Sequence, residues 1–193
     1  MTQFKAIKPN VEVNGQTVLS VANALGAMKD TGLRFLREAN LNDVKENGWY
    51  SQQDWLNAFE KIANKIGNTT LKVIGASIPD NARFPPEIND IHKALAAIDV
   101  AYHMNHRIGG KVMFDPSTGI LLEGIGHYRY TRVSDREAHI RCDNPYPCAF
   151  DRGLIEKMAK RFKPAATATV KVEHDESKCR AKGGESCLYR VTW

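Results

Sequence analysis

Four cysteines confined to one part of the sequence constrain the fold more than any other feature of this chain. They form two pairs, with five and seven residues between the members: Cys142 with Cys148, and Cys179 with Cys187. Prolines interrupt the first segment, "CDNPYPC", and the Gly-Gly pair in "CRAKGGESC" indicates a tight turn. Two cysteine pairs that are held in turns and brought together by the fold provide the ligands of a tetrahedral structural zinc site.

The register of the last predicted hairpin tests this interpretation. If the turn were only Gly183-Gly184, Cys179 and Cys187 would point to opposite faces of the hairpin. A three-residue loop at 182–184 instead places the two cysteines directly opposite each other, within about 5.5 Å. A shared metal or a disulfide would both suit that geometry. We favour the metal because nothing in the sequence indicates an oxidising compartment.

Length and composition indicate a soluble globular protein. The 193 residues are expected to form one domain, 1–193, with a mainly helical lobe at 1–108 and a sheet lobe with the cysteine site at 109–193. Hydrophobic residues make up 42% and charged residues 25% of the chain. No apolar run approaches the ~20 residues that span a bilayer, and the first residues lack the apolar segment of a signal peptide. We therefore expect no membrane association and a cytoplasmic location.

The net charge of +5 and the pI of about 9.0 permit contact with nucleic acid. The basic residues are scattered, however. Their densest run, 157–163, lies in the last turns of a predicted helix, where cations complement the helix dipole. The charge pattern therefore argues against a nucleic-acid partner.

The order of the predicted elements gives the fold class. Hydrophobic periodicity predicts helices over 16–28, 31–39, 52–66, 69–78, 87–105 and 149–163. Alternating or β-rich runs predict strands over 111–115, 120–133, 137–142, 166–174 and 186–193. This order predicts an α+β fold, in which N-terminal helices pack on an antiparallel sheet that is followed by a C-terminal helix and a final β-hairpin.

A ligand pocket is predicted between the helix at 87–105 and the strand that contains His127 and Tyr128. Two histidines three residues apart near the end of that helix, His103 and His106, offer a polar contact. The alternative is a filled core with both imidazoles in solvent at the helix C-terminus. The candidate ligand-binding residues carry aromatic or imidazole side chains: Trp55, Tyr102, His103, His106, His127 and Tyr128.

No catalytic signature accompanies these residues. The sequence lacks a glycine-rich phosphate loop, a G-x-S-x-G elbow and the zincin pattern of two histidines around a glutamate. We therefore predict that the chain is not an enzyme. A reductase or zinc hydrolase is the alternative, and it requires an open metal position beside a general base.

Three segments carry a resemblance to a known family: "NPYPCAFDRGLIEKMAKRF", "ATVKVEHDESKC" and "GGESCLYRVTW". Through them, residues 85–193 resemble the 4-vinyl-reductase (4VR) ligand-binding domains, of the superfamily that includes haem nitric-oxide-binding (H-NOX) domains and TRAPP trafficking subunits. The resemblance to the aromatic-sensing members implies one set of zinc ligands: Cys148, Glu176, Cys179 and Cys187. Cys142 in place of Glu176 is the alternative, and His174 is a further candidate.

The resemblance also implies a function. Such domains bind a small apolar or aromatic molecule and pass a conformational change to a separate signalling partner or through a dimer interface. We expect a twofold homodimer formed through the N-terminal helices. An assembly or trafficking-type subunit without a ligand is one alternative.

A haem-based gas sensor of H-NOX type is the other alternative that the resemblance implies. H-NOX domains carry a haem-ligating histidine on a helix and, further on, a Tyr-x-Ser-x-Arg motif. Here His103 precedes Tyr128-Arg129-Tyr130-Thr131-Arg132, in which tyrosine replaces the serine.

Overall fold

A computed structural model describes residues 3–193 of the chain. The helices of this part are α1 (Gly15–Ala24), α2 (Lys29–Arg37), α3 (Gln52–Lys65), α4 (Asn68–Ser77), α5 (Ile91–Met104) and α6 (Cys148–Arg161). The strands are β1 (Val11–Asn14), β2 (Trp49–Ser51), β3 (His106–Ile108), β4 (Lys111–Val112), β5 (Phe114–Asp115), β6 (Ile120–Leu121), β7 (Tyr128–Ser134), β8 (Glu137–Cys142), β9 (Lys171–Asp175) and β10 (Cys187–Thr192). None of the helices in this range is long and apolar enough to cross a membrane.

The strands form two four-stranded sheets and a small hairpin. The C-terminal sheet has the order β7-β8-β10-β9, and each neighbouring pair is antiparallel. The N-terminal sheet has the order β2-β1-β3-β4, and β5 pairs with β6. Helices α1–α5 precede the C-terminal sheet in the chain, and α6 lies between its strands β8 and β9. Strands β9 and β10 form the last antiparallel pair. The predicted α+β fold is confirmed.

The helix predicted over 87–105 begins later than expected. The Asp90 side chain accepts a hydrogen bond from the Lys93 backbone N–H at 2.8 Å, so α5 starts at Ile91. A carboxylate at this position satisfies one of the free N–H groups of the first turn. The segment after Pro86 forms a turn instead of a first helical turn.

The single strand predicted over 120–133 is wrong, because the structure contains β6 and β7 with a loop between them. Gly124 and Gly126 adopt φ values of 125° and 78°, a backbone region that does not continue a strand. A Cβ atom on Gly126 would lie 2.4 Å from the Asp143 carbonyl oxygen, so the loop also passes close to the end of β8. This loop carries His127 towards α5.

The predicted final hairpin is present as β9 and β10, but its connection is longer than the predicted loop at 182–184. Strand β9 ends at Asp175, which lies opposite Leu188, and two short 3-10 turns follow at 176–178 and 180–182. Cys179 therefore lies between these turns, outside the strands. The residue opposite Cys187 on β8 is Cys142.

Helices α4 and α6 cross with their backbones in contact. A Cβ atom on Gly75 of α4 would lie 2.0 Å from the Phe150 carbonyl oxygen, and one on Gly153 of α6 would lie 2.0 Å from the Lys72 carbonyl oxygen. Only glycine permits this approach from both sides. The crossing fixes the N-terminal half of α6 against the helical layer.

The core between α3, α5, α6 and the C-terminal sheet is rich in aromatic rings. The ring of Trp55 lies 4.7 Å from that of Phe59 and 5.2 Å from that of Tyr146, measured between ring centroids. Tyr146 in turn lies 5.3 Å from Phe150. These edge-on and tilted contacts are typical of aromatic packing, and they surround a small cavity.

Candidate functional site

Four side chains at the C-terminal end of the sheet converge on one point: Cys148, His174, Cys179 and Cys187. Each offers one ligand atom, and the four atoms lie within 4.8 Å of one another. The Sγ atom of Cys148 is 3.2 Å from those of Cys179 and Cys187, and the latter two are 3.8 Å apart. Three sulfurs and an imidazole at such distances match a tetrahedral Cys3His zinc site.

The four groups come from four different places in the chain. Cys148 is the first residue of α6 and Cys187 the first residue of β10. His174 lies on β9 and Cys179 lies between the two 3-10 turns. The His174 ring stacks on Tyr189 with ring centroids 4.6 Å apart, which holds it towards the cysteines. All four cysteines of the chain are free thiols in this structure, so the disulfide alternative is not realised here.

The two other ligand candidates lie outside this group. Cys142 is fully buried, and burial raises the pKa of its thiol well above the ordinary value. The Glu176 side chain is 70% exposed, and its carboxylate forms an ion pair with Lys182 at 3.0 Å. The structure therefore places His174, and neither Glu176 nor Cys142, beside the three cysteines.

The surroundings of the cysteine group favour the thiolate form of one thiol. A hydrogen bond from Cys148, together with His174 and Arg180, lowers the pKa of Cys187. The neighbouring Cys187 sulfur and burial raise the pKa of Cys148. The Gln3 side-chain amide donates a further hydrogen bond to the Cys148 sulfur at 2.6 Å. A metal ion would displace the remaining thiol protons as it binds.

A buried ion pair lies directly behind the cysteine group. Arg180 donates from Nε to the Cys187 sulfur at 3.4 Å and from Nη2 to the Asp151 carboxylate. Both side chains are fully buried. Asp151 also accepts a hydrogen bond from the Tyr128 hydroxyl at 2.6 Å. A continuous chain of polar contacts thus runs from Cys187 to Tyr128.

Tyr128 lies on the wall of a cavity of about 90 Å³ between α3, α5, α6 and the sheet. Its walls are largely apolar and aromatic, and their main side chains are Trp55, Ile98, Tyr102, His106, Tyr128, Tyr146, Phe150, Leu154 and Met158. His106 provides an imidazole in this largely apolar lining, to which Thr17 and Asn105 also belong.

His106 is buried and neutral. Burial lowers the pKa of its imidazole to about 3. Its Nδ1 atom lies 2.6 Å from the Tyr102 carbonyl oxygen, so Nδ1 carries the proton and donates it there. Nε2 is then an acceptor, and the Tyr146 hydroxyl lies 2.6 Å from it. The same hydroxyl accepts a hydrogen bond from Gln52 at 3.1 Å.

The structure divides the predicted ligand-binding residues into two groups. Trp55, Tyr102, His106 and Tyr128 line the cavity. His103 and His127 do not, and they instead pack against each other and against Asp99. Tyr146 and Phe150 also line the cavity, but they are not among the predicted ligand-binding residues. Tyr146 lies in a proline-rich segment and Phe150 in the first turn of α6, where the cysteines are the conspicuous side chains.

A larger open groove of about 1070 Å³ adjoins the cavity, between α1, residues 78–88 and α5. Ile78, Phe84 and Ala101 belong to the walls of both. Along α5 the groove is formed by small or flexible side chains, from Ala96 to Met104.

The residues around these two spaces do not fit a haem group. The cavity beside His106 is far smaller than the roughly 300–1000 Å³ of sites for ligands of that size, and His106 uses both ring nitrogens. The groove is large enough, but among the described residues that line it there is no histidine, cysteine or tyrosine, and Met104 is its only side chain of a type that ligates haem iron.

The residues that would hold haem propionates also have other partners. Tyr128 donates its hydroxyl hydrogen bond to Asp151, and the Tyr130 hydroxyl lies 2.7 Å from His92 Nδ1. Arg132 forms an exposed ion pair with Asp135 at 2.5 Å.

Comparison with solved structures gives matches over nearly the whole chain. An H-NOX protein from S. oneidensis in the Fe(II) ligation state is 14% identical, with a TM-score of 0.59, and the match covers 93% of this chain and 95% of that one. The unliganded Fe(II) H-NOX protein from K. algicida is 11% identical, with a TM-score of 0.59 and the same coverage. A structure entitled "Probing the function of heme distortion in the H-NOX family" is 15% identical, with a TM-score of 0.63 and coverages of 93% and 94%.

No protein-family model and no curated protein matches the chain. At identities of 11–15% these structures support the fold and not the ligand. The chain therefore shares the fold of these H-NOX structures.

Proposed function

We propose that the chain is a sensor domain of 4VR-like type that binds a small apolar or aromatic molecule in the cavity beside His106. The observation that carries this proposal is a largely apolar cavity, lined in part by aromatic rings, with a neutral imidazole on its wall. Ligand sites are typically apolar concavities with a few placed polar groups. A filled core would leave no such space.

The size and the polarity of the cavity indicate the ligand class. An engineered apolar cavity of about 150 Å³ in another protein binds benzene. The present cavity of about 90 Å³ therefore suits a single ring, once the surrounding side chains move slightly. A charged molecule is disfavoured because the lining is apolar. A ligand hydroxyl could donate to His106 Nε2 in place of the Tyr146 hydroxyl.

This assignment predicts the effect of His106→Ala. Loss of the acceptor removes one hydrogen bond, worth about 1 kcal/mol, so the affinity for phenol is expected to fall by roughly 5- to 10-fold, while that for toluene stays within about twofold. Isothermal titration calorimetry measures both affinities, and elemental analysis is expected to show unchanged metal content. His139→Ala, which alters a histidine paired with Glu137 on the sheet, is the matched control. If neither ring compound binds the unaltered protein, the subunit without a ligand becomes the better assignment.

We further propose that the Cys148–His174–Cys179–Cys187 group holds a structural zinc ion. The support is the set of donors, three thiols and one imidazole, and the lowered pKa of the Cys187 thiol. Four protein ligands leave no open position on a tetrahedral zinc ion. This closed set argues against the reductase and hydrolase alternatives, which need a coordination site for substrate.

A haem-based gas sensor is the second candidate, and the H-NOX structures favour it. It requires a rearrangement, because the cavity is too small and His103 lines neither the cavity nor the groove. An absorption spectrum after addition of hemin separates the two candidates. A Soret band of ligated haem that disappears in His103→Ala would support the haem sensor, and its absence would support the apolar ligand.

We propose that the ligand-induced change is passed on through a twofold homodimer formed by the N-terminal helices and through a separate signalling partner. Met28, Ile66 and Val73 support this, since their apolar side chains are 51%, 41% and 48% exposed on the helical half. Sedimentation velocity at tens of micromolar is expected to show a dimer. A monomer at all concentrations in that range would contradict the dimer and leave only the separate partner.

A further inference from the structure

A second group of potential metal ligands lies between α5 and the loop before β7. Asp99, His103 and His127 each offer one ligand atom, and these atoms lie within 4.8 Å of one another. The two imidazole rings are 4.9 Å apart between centroids. His103 is fully buried, and its Nε2 atom has no hydrogen-bond partner among residues 3–193. A buried ring nitrogen without a partner needs an explanation, because such groups are normally paired.

The hydrogen bonds around this group orient both rings. His103 Nδ1 lies 2.8 Å from the Asp99 carbonyl oxygen one turn earlier, so Nδ1 carries the proton and Nε2 keeps its lone pair. His127 Nε2 lies 2.9 Å from the Glu123 carboxylate. Outer partners of this kind, a carbonyl for one ring and a carboxylate for the other, hold metal-ligating histidines in many proteins.

The third ligand is also fixed in place. Asp99 Oδ1 accepts a hydrogen bond from the Tyr128 backbone N–H at 2.8 Å, and Oδ2 lies 2.9 Å from His127 Nδ1. The carboxylate is thereby held between the two rings, on the side of His127 that faces away from Glu123.

We propose that Asp99, His103 and His127 form a binding site for a divalent transition-metal ion. The ion replaces the proton between Asp99 Oδ2 and His127 Nδ1 and takes the free Nε2 atom of His103 as its third ligand. Two imidazoles and one carboxylate suit Zn²⁺, Ni²⁺, Cu²⁺ or Fe²⁺, and they leave open positions for water. The Glu123 side chain is 76% exposed and contacts His127, so this side of the site is close to solvent. This site is independent of the cysteine group and of the cavity ligand.

The test uses the full chain with the cysteine site already loaded with Zn²⁺. Titration with Ni²⁺, followed by calorimetry and by the imidazole resonances in NMR spectra, is expected to show one further equivalent that perturbs the resonances of His103 and His127. His127→Gln removes a ligand and is expected to abolish this equivalent. Glu123→Gln alters an exposed side chain that the core does not need, and it is expected to weaken Ni²⁺ binding by about 10- to 100-fold.

His139→Gln is the matched control, since His139 pairs with a glutamate on the sheet in the same way as His127 does with Glu123. Circular dichroism and the melting temperature verify that each variant is folded. The proposal is overturned if the zinc-loaded protein takes up no further Ni²⁺. It is also overturned if Glu123→Gln leaves the affinity unchanged, or if His139→Gln removes the same equivalent.

Discussion

Removal of metal from the Cys148–His174–Cys179–Cys187 site is expected to lower the melting temperature of the protein by roughly 8–16 °C. A ligand present at about 1,000 times its dissociation constant stabilises the folded state by about 4.1 kcal/mol. For a chain of this size, each kcal/mol corresponds to about 2–4 °C. A metal ion bound by these four residues would connect α6, β9, β10 and the segment between the 3-10 turns. Its removal is therefore expected to destabilise this end of the sheet.

Two cysteine variants make this prediction specific. Cys179→Ser removes a ligand from the loop and is expected to lose stoichiometric zinc and to melt like the chelated protein. Cys142→Ala is the matched control, because Cys142 is equally buried and lies opposite Cys187 but outside the ligand group. The proposal fails if the purified, reduced protein contains no stoichiometric metal at this site. It also fails if Cys142→Ala loses as much metal as Cys179→Ser.

Arg180→Met is expected to destabilise the protein by about 3–5 kcal/mol in urea unfolding of the metal-loaded form. Both members of the Arg180–Asp151 pair are fully buried. Without the guanidinium, the Asp151 carboxylate has no compensating charge, and its burial already raises its pKa to about 6. The Asn144 carbonyl oxygen also loses a donor.

The double variant Arg180→Met/Asp151→Asn shows whether the isolated charge causes this loss. Asparagine still accepts the Tyr128 hydrogen bond but carries no charge, so most of the lost stability is expected to return. Arg190→Met is the control, since Arg190 is 53% exposed and forms an ion pair with Glu137 on the surface, where such pairs contribute about 0–1 kcal/mol. A single variant at Arg180 no less stable than this control would contradict the prediction.

The sequence pattern predicts the elements and the three cysteines of the group, but it leaves the fourth member open among Glu176, Cys142 and His174. Cysteines are few and their clustering is visible in the chain, so Cys148, Cys179 and Cys187 could be identified directly. The position of His174 depends on the pairing of β9 with β10, where His174 lies opposite Tyr189. A spacing rule from a resembling family selects Glu176 instead, because it does not account for where β9 ends.

Some residues of the cavity are likewise indicated by the local sequence pattern, and others are not. The hydrophobic stripe of α5 indicates its inward face, and Tyr102 lies on it. Tyr146 comes from an irregular proline-rich segment, which carries no periodic signal. Asp99 contacts His103 within one turn of α5, but the contact of both residues with His127, in the loop before β7, forms only once the sheet lies against α5. Distant pairings of this kind are not encoded in any local window.

The contact of Gly75 with the backbone of α6, and of Gly153 with that of α4, has a mechanical consequence. With no side chains between the two helices at their crossing, no rotamer change can absorb sliding or rotation, and α4 and α6 must be displaced as one rigid body. Cys148 and Phe150 belong to that body. A ligand that enlarges the cavity is therefore expected to displace walls outside this pair, among them α3, α5 and the 78–88 segment, and a partner that detects the ligand would be expected to contact one of these elements.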